Sequence, residues 1–251
     1  MMTRVKTPQE IISIRESGRQ LAVVLDYLKH TVAVGMSTKD VAMLAEERLK
    51  KLGGKPAFLG YYGFSDVICI SLNDEVVHGV PSKTRIIEDG DIVSLDFGVK
   101  IDGMITDAAI TVVVGTTKNK KIEKLIQVTE QSLMAGIETI HDGVQVGTIA
   151  NAVESVLNTQ RYGIVRDLVG HGVGHEVHEE PNIPNYGRKN TGMRLLAGMT
   201  IAVEPMATLG SERVFLADDE WTVKTQDGSL SAHFEHTILI TNTGYEILTK
   251  I

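Results

Sequence analysis

A chain of 251 residues can bury a sizeable core, as one large domain or as two halves. Its 43% hydrophobic and 23% charged residues are ordinary globular proportions, so disorder is not the default expectation. A net charge of −7 argues against a nucleic-acid surface, and no run approaches the roughly 20 apolar residues of a membrane span.

The first helix is announced by Thr7-Pro8-Gln9-Glu10: Thr7 can cap, Pro8 suits the first turn, and Glu10 can close a capping box. Ile11, Ile14, Leu21, Val24, Leu25 and Leu28 follow at helical spacing. The apolar stretch 21–25 is too short for a signal peptide, and the lone Cys69 forms no internal disulfide, so a cytoplasmic protein is expected. A second helix starts near Ser37 or Thr38, buries Val41, Leu44, Ala45 and Leu52, and stops at Gly53-Gly54. Strands are expected over 67–70, 92–99 and 104–114, with Asp102-Gly103 as a break.

The order then repeats. A long helix over 118–140 leads to Ile149, Ala150, Val153 and Leu157, which echo Val41, Ala42, Ala45 and Leu49 at an offset of 108 (149 − 41 = 108). Strands over 200–204 and 233–241 close the second half. The same offset carries Asp96 onto Glu204 (204 − 96 = 108), each at the end of a glycine-led apolar strand. The pattern predicts an internal duplication, about 8–115 and 118–245, within a single domain spanning 1–251.

Asp96 and Asp107 stand on the two arms of a candidate hairpin. A four-residue loop pairs 96 with 107, and a two-residue loop pairs 96 with 109; both put the two acids on one face. The second half offers Glu204 and Glu235, with Glu235 aligned on Asp107 at an offset of 128 (235 − 107 = 128). About 20 residues are therefore inserted between Glu204 and Glu235, in a stretch holding the lone Trp221. Clustered carboxylates repel unless a cation or a shared proton joins them.

Three histidines lie within residues 171–178. His175-Glu176-Val177-His178 is one residue short of the zinc-protease helix motif, and its glycine-rich setting argues against a helix. His175 reads as a loop or packing residue. His78 and His178 share a spacing of hydrophobe, His, two residues, Pro; His171 has no counterpart in the first half. Four carboxylates with one imidazole suit Mn2+, Fe2+ or Co2+, with Zn2+ also accommodated. Two ions about 3.5–4 Å apart, bridged by carboxylates, are the economical account, and such a pair activates water for hydrolysis.

The motifs at 73–81 (NDEVVHGVP), 94–98 (SLDFG), 106–107, 170–174 (GHGVG), 178–181 (HEEP), 203–206 (VEPM) and 235–237 carry a family likeness over nearly the whole chain. On them the chain resembles the type I methionine aminopeptidases of the short bacterial form, in the pita-bread fold shared with proline peptidases and creatinases. The resemblance implies an α+β fold of pseudo-twofold duplicated halves, an antiparallel sheet covered by helices. It implies two divalent ions held by Asp96, Asp107, His171, Glu204 and Glu235, with Asp107 and Glu235 bridging and Glu204 also shuttling a proton. His178 would face the substrate amide or its oxyanion, and His78 the following peptide group. Tyr61, Phe64, Cys69, Val177 and Trp221 would line the methionine pocket. A monomer acting on nascent N-termini near the ribosome, favouring small second residues, is the implied setting.

Family members often carry tyrosine at the position of Phe64, phenylalanine at Val177 and glutamine at His233. The 31 residues from Glu204 to Glu235 leave no room for the type II helical insertion (235 − 204 = 31). No zinc-binding extension precedes Thr7, unlike the longer eukaryotic form. The alternatives are a proline-directed peptidase, whose relatives usually add an N-terminal domain, and a non-catalytic protein of this fold, whose relatives typically lose ligands that are all present here.

Overall fold

Two capping boxes set the first helical pair. In α1 (Pro8–Thr31) the Thr7 hydroxyl accepts from the Glu10 N–H, and the Glu10 carboxylate accepts from the Thr7 N–H. Ser37 and Asp40 repeat the device at α2 (Thr38–Leu52). A cap of this kind contributes about 1 kcal/mol. α2 buries Val41, Ala45 and Leu49, while Leu44 and Leu52 are only half-buried. The buried line runs in steps of four, and both leucines lie one position off it. The computed structural model describes residues 3–250; residues 1, 2 and 251 of the expected single-domain span lie outside it.

α1 lies on an antiparallel hairpin, Ile92–Ile101 with Met104–Val113, and α2 packs against α1, sharing a core that includes Leu21, Val41, Leu95 and Phe97. Asp102 (φ 46°) and Gly103 (φ 85°) are both left-handed, so the turn is the two-residue kind. Asp96 therefore faces Ala109 and Gly98 faces Asp107, the second of the two registers open from sequence. Cys69–Leu72 pairs with the other edge of Ile92–Ile101, with Cys69 opposite Asp96. This strand begins two residues later than expected.

The second helical pair is α3 (Lys120–Ile137) and α4 (Val146–Asn158). Asn119 caps α3, which is shorter at both ends than the expected 118–140. The pair covers a five-stranded antiparallel sheet ordered Gly244–Ile247, His236–Thr241, Thr200–Val203, Gly170–Gly172, Glu179–Ile183. Leu133, Ile149, Val153, Ile201 and Ile238 fill the space between.

The strand expected over 233–241 is interrupted. Its ladder with Thr200–Val203 ends at His236 opposite Val203, and a separate ladder resumes with His233 opposite Met206. Glu204-Pro205 on one side and Phe234-Glu235 on the other fill the gap. Pro205 has no N–H to donate, which explains why regular pairing lapses there.

The two halves meet at this gap. Glu235 N donates to Ala109 O at 2.9 Å, and Ala109 N donates to Glu235 O at 3.3 Å. Beside it, Thr237 Oγ1 donates to Asp107 O at 2.7 Å and accepts from Asp107 N at 2.9 Å. The N-terminal segment is buckled to the second half: Thr3 N donates to Glu180 O at 2.6 Å, and buried Lys6 pairs with buried Glu179 at 3.4 Å. Among the described residues no helix is long and apolar enough to cross a membrane.

Candidate metal centre and substrate cavity

The hairpin and the broken ladder bring Asp96, Asp107, Glu204 and Glu235 together, all nearly excluded from water. Asp107, His171 and Glu235 form the tightest group, each offering a ligand atom within 4.8 Å of the others. Asp96 and Glu204 stand outside that triple. Glu204 Oε1 lies 3.4 Å from His171 Nε2, and Glu204 Oε2 lies 3.7 Å from His233 Nε2. His171 comes from Gly170–Gly172, an inner strand of the five-stranded sheet.

Burial dominates the electrostatics. It pushes the Asp96 carboxyl up to about 7. Asp107, Glu204 and Glu235 are raised well above the carboxylate range, by burial first and then by each other's charge. Burial also moves the imidazoles down, to about 3 for His171 and His233 and about 4 for His78. Neutral imidazoles keep a lone pair for a cation. Asp96 Oδ1, Asp107 Oδ1 and Glu235 Oε1 are buried with no hydrogen-bond partner. Repelling acids, free oxygens and a neutral imidazole fit a divalent metal: a cation would satisfy all three at once.

The cluster is one wall of a cavity of about 240 Å3. Tyr61, Phe64, Cys69, Val177 and Trp221, all singled out from the sequence, line it, together with His78 and His178. Phe64 meets Trp221 edge-on with ring centroids 5.1 Å apart. Phe58, Tyr62 and Val77 line it as well and were not anticipated; the aromatic-rich run 58–64 was the available signal. The Cys69 thiol is pushed well up by burial and by the Asp96 charge, which makes it an apolar wall rather than a nucleophile.

His178 is held by Tyr61, whose hydroxyl lies 3.0 Å from Nδ1, and stacks edge-on against His171 with centroids 4.3 Å apart. His78 adopts a left-handed backbone (φ 60°), uncommon outside glycine. The next residue must be glycine, because a Cβ there would run into the Ile70 carbonyl. Ile70 N donates to Gly79 O, and Arg85 donates to Val80 O at 2.6 Å, so the turn is tied on both sides. His175, read as structural, bonds Glu10 through Nε2 at 2.7 Å and is not among the residues lining the cavity.

Three further residues serve the site from behind. Thr237 fixes Asp107, as described. Thr111 Oγ1 donates to His233 O at 2.6 Å and accepts from His233 N at 3.0 Å, and it shares a bond with Ser94 Oγ at 2.8 Å. The Thr111 and Thr237 hydroxyls, whose backbone partners lie more than a hundred residues away, leave no local sequence signal.

The family model for metallopeptidase family M24 matches residues 13–242. Methionine aminopeptidase 1 of Bacillus subtilis is 45% identical over 246 residues, covering 98% of each chain. The crystal structure of methionine aminopeptidase from Thermotoga maritima superposes with a TM-score of 0.97 at 45% identity, covering 100% of both chains. Prolidase from Pyrococcus furiosus superposes at 0.79 with 25% identity, and this chain spans only 65% of it. The architecture is thus the pita-bread fold, and the chain belongs to metallopeptidase family M24.

Proposed function

We propose that this chain is a methionine aminopeptidase, a hydrolase that removes the N-terminal methionine from peptides and nascent proteins and favours small second residues. The observation that carries the reading is the junction of a buried acid–imidazole cluster with an apolar, aromatic-lined cavity of about 240 Å3. Such a lining suits a thioether, since sulfur packs favourably on aromatic rings. Near-complete coverage of relatives bearing that name supports it further, and the partial match to a prolidase does not favour the proline-directed alternative.

In this reading Asp96, Asp107, His171, Glu204 and Glu235 hold two divalent ions, Co2+, Mn2+ or Fe2+, with Zn2+ also accommodated. Such ions supply a Lewis acid and a water made acidic near pH 7. The protein does the rest. Glu204 takes a proton from the attacking water on a carboxylate oxygen and returns it to the leaving amine nitrogen. His178 is neutral with Nδ1 facing the Tyr61 hydroxyl, so Nε2–H donates to the carbonyl oxygen as negative charge develops. His78 hydrogen-bonds the following peptide group. The apolar walls hold the methionine side chain and keep water from its path.

The setting this reading carries is a cytoplasmic monomer meeting N-termini near the ribosome, with neither nucleic acid nor membrane as a specific partner. The test is turnover of Met-Ala-Ser against Ala-Pro-Phe by protein loaded with Mn2+, Fe2+ or Co2+. Release of methionine from the first alone is expected; turnover of the second alone would replace the reading with a proline-directed peptidase. Rigorous chelation should abolish activity, and any of the three ions should restore it.

A further inference from the structure

His233 is fully buried, and both its ring nitrogens lack hydrogen-bond partners. An imidazole carries one donor and one acceptor, and leaving both unmet in the interior is costly. Its backbone gives the ring little freedom. Thr111 clamps its N–H and C=O, and Met206 faces it across the ladder. The ring stands with Nε2 at 3.7 Å from Glu204 Oε2, while the other oxygen of that carboxylate faces His171. His233 is not among the residues lining the cavity.

We infer that His233 is the positioning residue of Glu204: unbonded at 3.7 Å in the metal-free protein, its Nε2–H closes on Oε2 once the centre is loaded, leaving Oε1 for the ion beside His171. The inference rests on the metal-centre reading above. A ligating carboxylate with one oxygen toward the metal needs a partner for the other, and such outer partners set metal affinity. An imidazole in this place uses its ring where an amide side chain could use its NH2, so glutamine should substitute and an apolar residue should not.

The experiment is calorimetric titration of Mn2+ into the metal-free full chain, as wild type, His233→Gln and His233→Leu, with thermal melts of each. His233→Gln should bind within about threefold of wild type, and His233→Leu about 10–100-fold more weakly. Meanwhile the metal-free melting temperature of His233→Leu should rise by about 2–4 °C, because two unmet polar atoms are gone. A purely packing role predicts unchanged affinity in His233→Leu, and that result would overturn the inference. Equal weakening by both variants would also overturn it, by making the imidazole a direct ligand. So would a lower metal-free melting temperature in His233→Leu, which would mean the ring nitrogens are satisfied. A wild type that takes up no ion overturns the metal centre itself, and His233's role with it.

Discussion

Ala109 and Glu235 exchange hydrogen bonds in both directions, at 2.9 and 3.3 Å, and Ala109 is also the residue that Asp96 faces in its hairpin. One small residue thus joins an acid of the first half to an acid of the second. The carboxylates converge because the backbone seam does.

Thr237 is the other stitch in that seam. Replacing it with valine keeps the shape but strands the Asp107 N–H and C=O, both buried. We expect Thr237→Val to lower the unfolding free energy by about 2–4 kcal/mol in urea titration. An unchanged midpoint would mean the seam is held elsewhere.

Glu204→Gln should cost about 10²–10⁴-fold in kcat, the usual worth of a positioned proton carrier. The metal-free fold should not suffer, since one of four mutually repelling acids becomes neutral. Steady-state rates on Met-Ala-Ser with a melt of the metal-free protein check both halves. Retained turnover would remove Glu204 from the mechanism.

The metal-free protein should be destabilised as pH rises from 6.5 to 8. Asp96 in the fold titrates at about 7, against about 3.9 unfolded, and Asp107, Glu204 and Glu235 shift the same way. A raised carboxyl gives its stability below the unfolded value and loses it as pH climbs through the folded one. His171, His233 and His78 act oppositely: folded at about 3 to 4, they give full stability above about 6.5 and lose it as pH falls. Saturating Mn2+ should flatten or reverse the alkaline fall, because ionised carboxylates bind it best. Melting temperatures across pH 5–8 decide the matter, and a steady alkaline rise without metal would contradict the buried-acid account.

Tyr61→Phe removes the hydroxyl beside His178 Nδ1, freeing the ring to flip or switch tautomer. A loss of about fivefold in kcat/KM is expected, equivalent to about 1 kcal/mol. Comparing Met-Ala-Ser kinetics of the two proteins tests it; equal values would uncouple the tyrosine from His178.

Local rules read well in this chain. Thr7 and Glu10 announced α1, Gly53 ended α2, and alternation put Asp96 and Asp107 on one face whichever register held. The choice of register needed the left-handed Asp102 and Gly103, which a loop of that length does not force. The broken ladder at Glu204 and Glu235 was not legible, because a β-rich run through 233–241 looks continuous until Pro205 lies opposite it. The residues gathered at the site could be named from spacing and family motifs. The hydroxyls of Thr111 and Thr237 could not, since threonine in a strand is ordinary and its partner is invisible in one dimension.

The buckle at the N-terminus bears on synthesis. Lys6 and Glu179 lie 173 residues apart, so the segment holding Lys6 leaves the ribosome long before its buried partner exists. At 5–20 residues per second that interval is roughly 9–35 s. Until then the leading segment has no place to dock, and Glu179, the residue next to His178, lacks its buried ion-pair partner. The ion pair that ties the first helix's leader to the second half therefore forms only late in synthesis, after the first half of the fold and part of the second have emerged.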